Sequence, residues 1–240
     1  YPNIHFNFMD MDLYFKGTAL EDWFTQGVWN NFTEWPYMNL ADAVRLLLVY
    51  RHGGVYMDSD FVSLRPLPSL TNWLGRQDES TIAAGAFHFV KDHIFMKKSI
   101  VDFLENFDGE AWANNGPGVI TRVLKKLCRE SQEYKLKHKK IIINSTLKQD
   151  DILIQPCGGV RVLKPETIYP IHFSEWPILF QPGMGKTYLS NMKRAYAVHV
   201  WNKLSSDKGT TPGDGSLYDE VARLNCPNVY RYIRAANLTL

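Results

Sequence analysis

From Leu40 to Asp60, a helix apolar on nearly every side runs into a double glycine, a short extended stretch and a pair of carboxylates. No other block constrains the fold as strongly. At 100° per residue, Leu40, Ala41, Val44, Leu47 and Leu48 cover one broad face, and Leu46, Val49 and Tyr50 fill most of the other. Such a helix must be enclosed by other elements rather than laid on a surface. Asn39 is placed to cap it, with Asp42 three residues on as in a capping box, and Gly53 suits its C-terminus. The charges between Leu40 and Tyr50 are Asp42 and Arg45, on neighbouring positions of one face. They either satisfy each other as an ion pair or reach out of the core into a site, because a buried charge without a partner is costly.

Elsewhere strands alternate with helices. Ile4–Phe8 has period-two patterning and reads as a strand, Gly53–Val62 as a turn, a short strand and an acidic end, and the small-residue-rich Ile82–Phe89 as another strand. His93–Glu105 reads as an amphipathic helix, Asn114–Gly118 as a loop, and Val119–Leu127 as a second amphipathic helix. Arg129–Lys140 is polar enough for a surface excursion. Short strands are expected at Ile152–Ile154, Val160–Leu163 and Ala195–Trp201, and Lys203–Gly215 reads as a mobile loop. This alternation predicts an α/β layer architecture. No internal repeat interrupts it, and 240 residues suffice for one large domain.

Lys+Arg 27 against Asp+Glu 25 leaves a charge of +2, so there is no electrostatic case for nucleic-acid binding. No run approaches the roughly 20 apolar residues of a membrane span. Seven Trp within a 13% aromatic content suit either a large core or stacking against sugar rings. Cys128, Cys157 and Cys226 show no CxxC spacing; Cys128 and Cys157 bracket one polar segment, and a bridge between them is expected. With the Asn-x-Ser/Thr triplets at Asn31, Asn144 and Asn237, this leans toward an oxidising, secretory compartment.

Asp58-Ser59-Asp60 would place two carboxylates on one side of an extended segment. Two such groups do not both ionise comfortably unless a cation lies between them. Mg²⁺ or Mn²⁺ favours oxygen donors and, with open positions, clamps a diphosphate. A phosphodiester hydrolase would need further His or Asp ligands, yet the seven His form no HxH or HxxxH cluster. A Ca²⁺ loop would need a Dx[DN]x[DN]G pattern with a closing Glu, which does not follow.

Leu40-Ala41-Asp42-Ala43-Val44-Arg45, Gly53-Gly54-Val55-Tyr56-Met57-Asp58-Ser59-Asp60, Trp112 with Asn115-Gly116-Pro117, and Ala197-Val198-His199-Val200-Trp201-Asn202 together resemble a known family. It is the α-1,4-galactosyltransferase and α-1,4-N-acetylglucosaminyltransferase family of Golgi enzymes. The likeness is strongest to lactosylceramide 4-α-galactosyltransferase-type members and covers essentially the whole chain. It implies a GT-A fold, a nucleotide-sugar-binding mixed sheet flanked by helices, as one catalytic domain over residues 1–240. The Asp-x-Asp region would span 40–66 and the acceptor side about 110–235, with the opening strand–helix–strand and a membrane anchor upstream of this chain. It further implies metal-dependent, configuration-retaining transfer of galactose or an N-acetylhexosamine from a UDP-sugar to a glycolipid or other glycan, in the Golgi lumen. Membrane contact would come through the anchor and the lipid acceptor.

By motif, Asp58, Asp60 and His199 would hold Mn²⁺ or Mg²⁺. Asp42, Arg45, Tyr56, Asp58, Asn115 and Gly116 would contact the donor, and Asp42, Arg45 and Asp60 would carry catalysis. His199 could equally be a core histidine beside Trp201, Asn115 a helix cap, and Lys203 either a diphosphate contact or a solvated lysine. The rival implied function is a catalytically impaired homologue that binds nucleotide-sugar or glycan.

Overall fold

The structure, a computed structural model, describes residues 3–137 and 153–240. Three short helices, α1 (Met11–Phe15), α2 (Glu21–Thr25) and α3 (Val28–Asn31), lead into the long α4 (Pro36–His52). Pro36 opens α4, where a missing N–H costs nothing, so Trp35 rather than Asn39 stands at the cap. Asn39 instead lies buried one turn in. Its amide donates to Thr33 Oγ1 at 2.6 Å and accepts from Asn115 Nδ2 at 2.8 Å. Gly53 closes the helix at φ 69°, and a side chain there would meet the Lys91 backbone N at 2.6 Å.

Past the glycines the chain forms β1 (Gly54–Met57), β2 (Phe61–Ser63), β3 (Trp73–Arg76) and β4 (Ile82–Phe89). Next come α5 (Ile94–Glu105), a wide turn at Asn114–Gly118, α6 (Val119–Lys137), β5 (Leu153–Cys157) and β6 (Val160–Leu163). The last third holds α7 (Pro165–Ile168), a 3₁₀ stretch at Phe173–Phe180, α8 (Gly185–Asn191), β7 (Ala197–His199), α9 (Asn202–Ser205), α10 (Leu217–Asn225) and α11 (Pro227–Ala235).

Five strands form a mixed sheet in the order β1-β4-β3-β6-β5, with β3 and β6 parallel and the other neighbours antiparallel. One face packs on α4, α5 and α6 through Leu46, Phe87, Phe89, Phe95, Phe103 and Ile120. The other carries Trp73, Ala83, Ala86, Leu163 and Tyr169. Strand β4 is thus covered on both sides, which explains its small residues. It also bulges: β3 advances from Leu74 to Arg76 while β4 runs from Phe87 back to Ile82. The bulge switches face parity, so Ile82 and Ala84 share a face with Phe87 and Phe89, while the β1–β4 register runs on unbroken and brings the Asp58 N–H to the Gly85 carbonyl. β2 and β7 form a separate antiparallel ribbon, with Phe61 opposite His199, resting on α10 and the 3₁₀ stretch.

The mixed α/β sheet flanked by helices matches the expected fold class. Ile4–Phe8 does not form a strand: Phe6 and Phe8 are 96% and 95% exposed, and no strand among the described residues pairs with them. The polar run after Leu127 continues α6 to Lys137 rather than leaving the surface as a loop, and α9 occupies the start of the expected 203–215 loop. Cys128 and Cys157 are bridged and Cys226 is free. Tying together residues 29 apart contributes about 3–4 kcal/mol by restricting the unfolded chain. Asn31 and Asn237 lie at exposed positions; Asn144 and the start of the expected strand at 152–154 fall outside the described residues.

Candidate functional site

The two motif aspartates lie where the chain leaves the large sheet for the ribbon. They sit in a turn between β1 and β2, not on an extended strand as the i, i+2 spacing suggests. Each half of the turn is fastened to a different sheet. The Asp58 N–H donates to Gly85 O at 2.8 Å, and the Val200 N–H donates to Asp60 O at 2.9 Å. The carboxylates converge because two sheets hold the turn, and one ligand atom from each of Asp58, Asp60 and His199 lies within 4.8 Å of the others.

Asp60 is the more firmly oriented acid. Its Oδ1 is 3.1 Å from His199 Nε2, and its Oδ2 accepts the Asn202 N–H at 2.9 Å. Trp201 makes the second bond possible by adopting φ 57° and ψ 47°, a left-handed conformation uncommon outside glycine, which turns the Asn202 N–H back toward Asp60. The Trp201 indole, bonded to Ile171 O at 3.0 Å, lies edge-on against His199 with centroids 4.1 Å apart. Burial works to raise the Asp60 pKa; the His199 hydrogen bond and charge and the Asn202 N–H outweigh it and hold the carboxyl below its ordinary value.

Asp42 and Arg45 project from α4 toward Asp58. The Arg45 guanidinium lies 3.4 Å from Asp42 Oδ1 through Nε and 3.4 Å from Asp58 Oδ1 through Nη2. Its Nη1 donates to Ala84 O at 2.8 Å, and its plane lies 4.8 Å from the Tyr56 ring centroid. Desolvation opposes the Arg45 charge, but Asp42 and Asp58 more than offset it and raise its pKa. Asp42 goes the other way: burial pushes its carboxyl up to about 6, against Arg45 and with the help of Asp58. The Tyr56 hydroxyl donates to Asp58 Oδ1 at 2.5 Å, and burial raises its pKa, so it stays a donor.

Two glycines make room for these acids. A Cβ on Gly116 would lie 2.6 Å from Asp42 Oδ1, and one on Gly85 would lie 2.8 Å from Asp58 Oδ2. Asn115 points away from the carboxylates: its amide is buried and bonded to Asn39 Oδ1, Asp108 O and the Asp108 N–H. It fastens the 108–118 loop to α4 and so sets Gly116 against Asp42. Sequence reasoning missed Tyr169, whose buried hydroxyl lies 3.2 Å from the Cβ position on Gly85 without a hydrogen-bond partner among the described residues. Burial raises its pKa, which keeps it protonated. Its position behind Phe61 and His199 depends on α7 packing under the sheet, which no local motif signals.

The donor set fits a hard divalent cation. It offers two carboxylates and an imidazole within reach of one another, beside a Gly85 that leaves Asp58 Oδ2 uncovered. Residues 88–233 match the α-1,4-glycosyltransferase conserved region, and residues 5–81 match the glycosyltransferase sugar-binding region containing a DXD motif. The chain belongs to the α-1,4-glycosyltransferase family. It is 31% identical to an orangutan (Pongo pygmaeus) lactosylceramide 4-alpha-galactosyltransferase over 98% of this chain and 99% of that sequence. The human protein of that name is 31% identical over 98% of this chain, which spans 61% of the human sequence. Human alpha-1,4-N-acetylglucosaminyltransferase is 27% identical over 93% of this chain and 60% of its own length. Family membership accounts for the Asp-x-Asp turn. Among the described residues no helix is long and apolar enough to cross a membrane.

Proposed function

We propose that this chain is the GT-A catalytic domain of a retaining α-1,4-glycosyltransferase. It would move galactose or an N-acetylhexosamine from a UDP-sugar to the terminal sugar of a glycolipid such as lactosylceramide. The observation that carries this reading is the single guanidinium of Arg45 lying against both Asp42 and Asp58, next to the Asp58–Asp60–His199 cluster. A fixed cation adjoining a cation site suits a diphosphate leaving group, and a buried acid beside it suits a sugar hydroxyl. The family relationship and the Cys128–Cys157 bridge, which belongs in an oxidising compartment, support a Golgi-lumen setting.

Asp58, Asp60 and His199 would hold Mn²⁺ or Mg²⁺, which when bound supplies Lewis-acid neutralisation of the departing diphosphate. Arg45 adds a charge held in place by the Ala84 carbonyl, so no reorganisation is needed as phosphate charge develops. Asp42 orients the donor hexose by accepting from its hydroxyls, and Tyr56 keeps Asp58 Oδ1 occupied, leaving Oδ2 for the ligand side. In a retaining transfer of this kind the acceptor hydroxyl would attack from the leaving-group face as the bond from the anomeric carbon to the diphosphate breaks, and its proton would pass to the departing phosphate oxygen. The test is transfer of radiolabelled sugar from UDP-galactose, UDP-N-acetylgalactosamine and UDP-N-acetylglucosamine to lactosylceramide in Mn²⁺. An α-1,4-linked product from one donor is expected. Donor binding without transfer to any acceptor would favour the impaired homologue instead.

A further inference from the structure

An aromatic cluster stands at the rim of the site, formed by Trp35, Trp112 and Lys203. Trp35 caps α4, seven residues and about 10 Å of helix ahead of Asp42. Trp112 belongs to the loop that lays Gly116 against the Asp42 carboxylate. The two indoles meet edge to face with centroids 4.8 Å apart. Lys203 directly follows Asn202, whose N–H holds Asp60, and its ammonium lies 5.2 Å from the Trp35 ring and 5.8 Å from the Trp112 ring. Three elements that each fasten part of the acid site therefore contribute one side chain to a single cluster.

Core packing does not account for it. Trp112 is 50% exposed and Lys203 is exposed, while Trp35 Nε1 is shielded with no acceptor among the described residues. An exposed indole face with an ammonium beside it suits a pyranose. The C–H bonds on one face of a sugar ring carry slight positive charge and stack on the electron-rich ring, while the hydroxyls around it accept from nitrogen donors. Position selects which sugar. Along α4 the order is Trp35, then Asp42, then Arg45 with Asp58, so a diphosphate at Arg45 and a donor hexose at Asp42 leave the next saccharide on the indoles.

We propose that Trp35, Trp112 and Lys203 form the acceptor subsite, stacking the pyranose whose hydroxyl receives the transferred sugar. The assignment rests on the transferase reading above. It gives Lys203 a sugar-facing role instead of a place on the diphosphate.

The test is saturation-transfer NMR of methyl β-lactoside with UDP and Mn²⁺ present, comparing wild type, Trp112→Ala and Trp112→Phe, with UDP affinity measured by calorimetry. Wild type should saturate the ring C–H protons of one galactose face. Trp112→Ala should weaken lactoside binding by about tenfold or more, Trp112→Phe should recover most of it, and UDP affinity should not follow the change. Equal lactoside affinity in all three proteins overturns the subsite, and so does a parallel fall in UDP affinity, which would mean that Trp112 only holds the loop. Trp112-dependent lactoside binding in a protein that does not bind UDP would keep the subsite and refute the transferase reading. UDP binding without Trp112-dependent lactoside binding would do the reverse.

Discussion

Asp42 and Asp60 belong to one site but to differently built regions. Asp42 projects from a helix enclosed in the core, its partner is a side chain, and the burial that hides it lifts its carboxyl to about 6. Asp60 stands where a turn meets a two-stranded ribbon, accepts a backbone N–H and faces an imidazole, and lies below its ordinary value despite partial burial. Helix burial yields an acid that readily keeps or shares a proton. The ribbon yields a committed anion, which is what a divalent cation requires. Arg45 reaches from the first region to Asp58 at the edge of the second and so sets one guanidinium against acids of both.

The largest expected effect comes from breaking the anionic half. Asp60→Ala should lower transfer on the order of 10³-fold and abolish Mn²⁺ binding, with the far-ultraviolet circular dichroism spectrum unchanged. Retained Mn²⁺ affinity in that variant would contradict the assignment of the ribbon acid.

The glycine cradles sharpen the contrast further. Gly116→Ala would push the Asp42 carboxylate, and Gly85→Ala would push Asp58, each costing about 10- to 100-fold in kcat/KM. Mn²⁺ affinity should fall only in Gly85→Ala, because Gly116 lies against Asp42, which is outside the Asp58–Asp60–His199 cluster; titration of both variants measures this.

A smaller effect separates the two regions by pH. The folded-state pKa of Asp42 is raised from 3.8 to about 6, so the folded protein binds more protons than the unfolded chain between those values. Its contribution to stability is full below about 4 and is lost as pH rises through about 6. Asp60 has the opposite sign: its contribution is present above the ordinary carboxylate value and is lost as pH falls through its lowered one. The Tm of Asp42→Asn minus that of wild type should therefore climb from pH 4 to pH 7, whereas for Asp60→Asn the same difference should stay level over that range and rise only as pH falls below about 4. Scanning fluorimetry across both ranges reads both, and a flat difference for Asp42→Asn would remove the buried-acid account.

Much of the first region was legible in the sequence, because α4 carries its burial in its own periodicity and ends at a glycine. The helix begins four residues ahead of the expected Leu40, because Pro36 suits a first helical position while Asn39 suits a cap equally well by residue type. The second region was legible as motifs but not as geometry. Asp58 and Asp60 converge through hydrogen bonds to Gly85 and Val200, partners set by the registers of two strands distant in sequence. Ile4–Phe8 shows the limit of period two as a signal, since alternation makes a strand only where a neighbouring strand is available to pair with it. Asn115 had the right address and a different task, anchoring the loop that brings Gly116 to Asp42.

The central claim is that one divalent cation at Asp58, Asp60 and His199 shares a nucleotide diphosphate with Arg45. Pulsed electron paramagnetic resonance of the wild-type protein with Mn²⁺ and UDP tests it most directly, because Mn²⁺ reports the nuclei bound to it. The account predicts coupling to a histidine ¹⁴N that disappears in His199→Ala, together with coupling to ³¹P of the nucleotide. Mn²⁺ bound to the protein with neither coupling, or ³¹P coupling that survives Asp60→Ala unchanged, would contradict it.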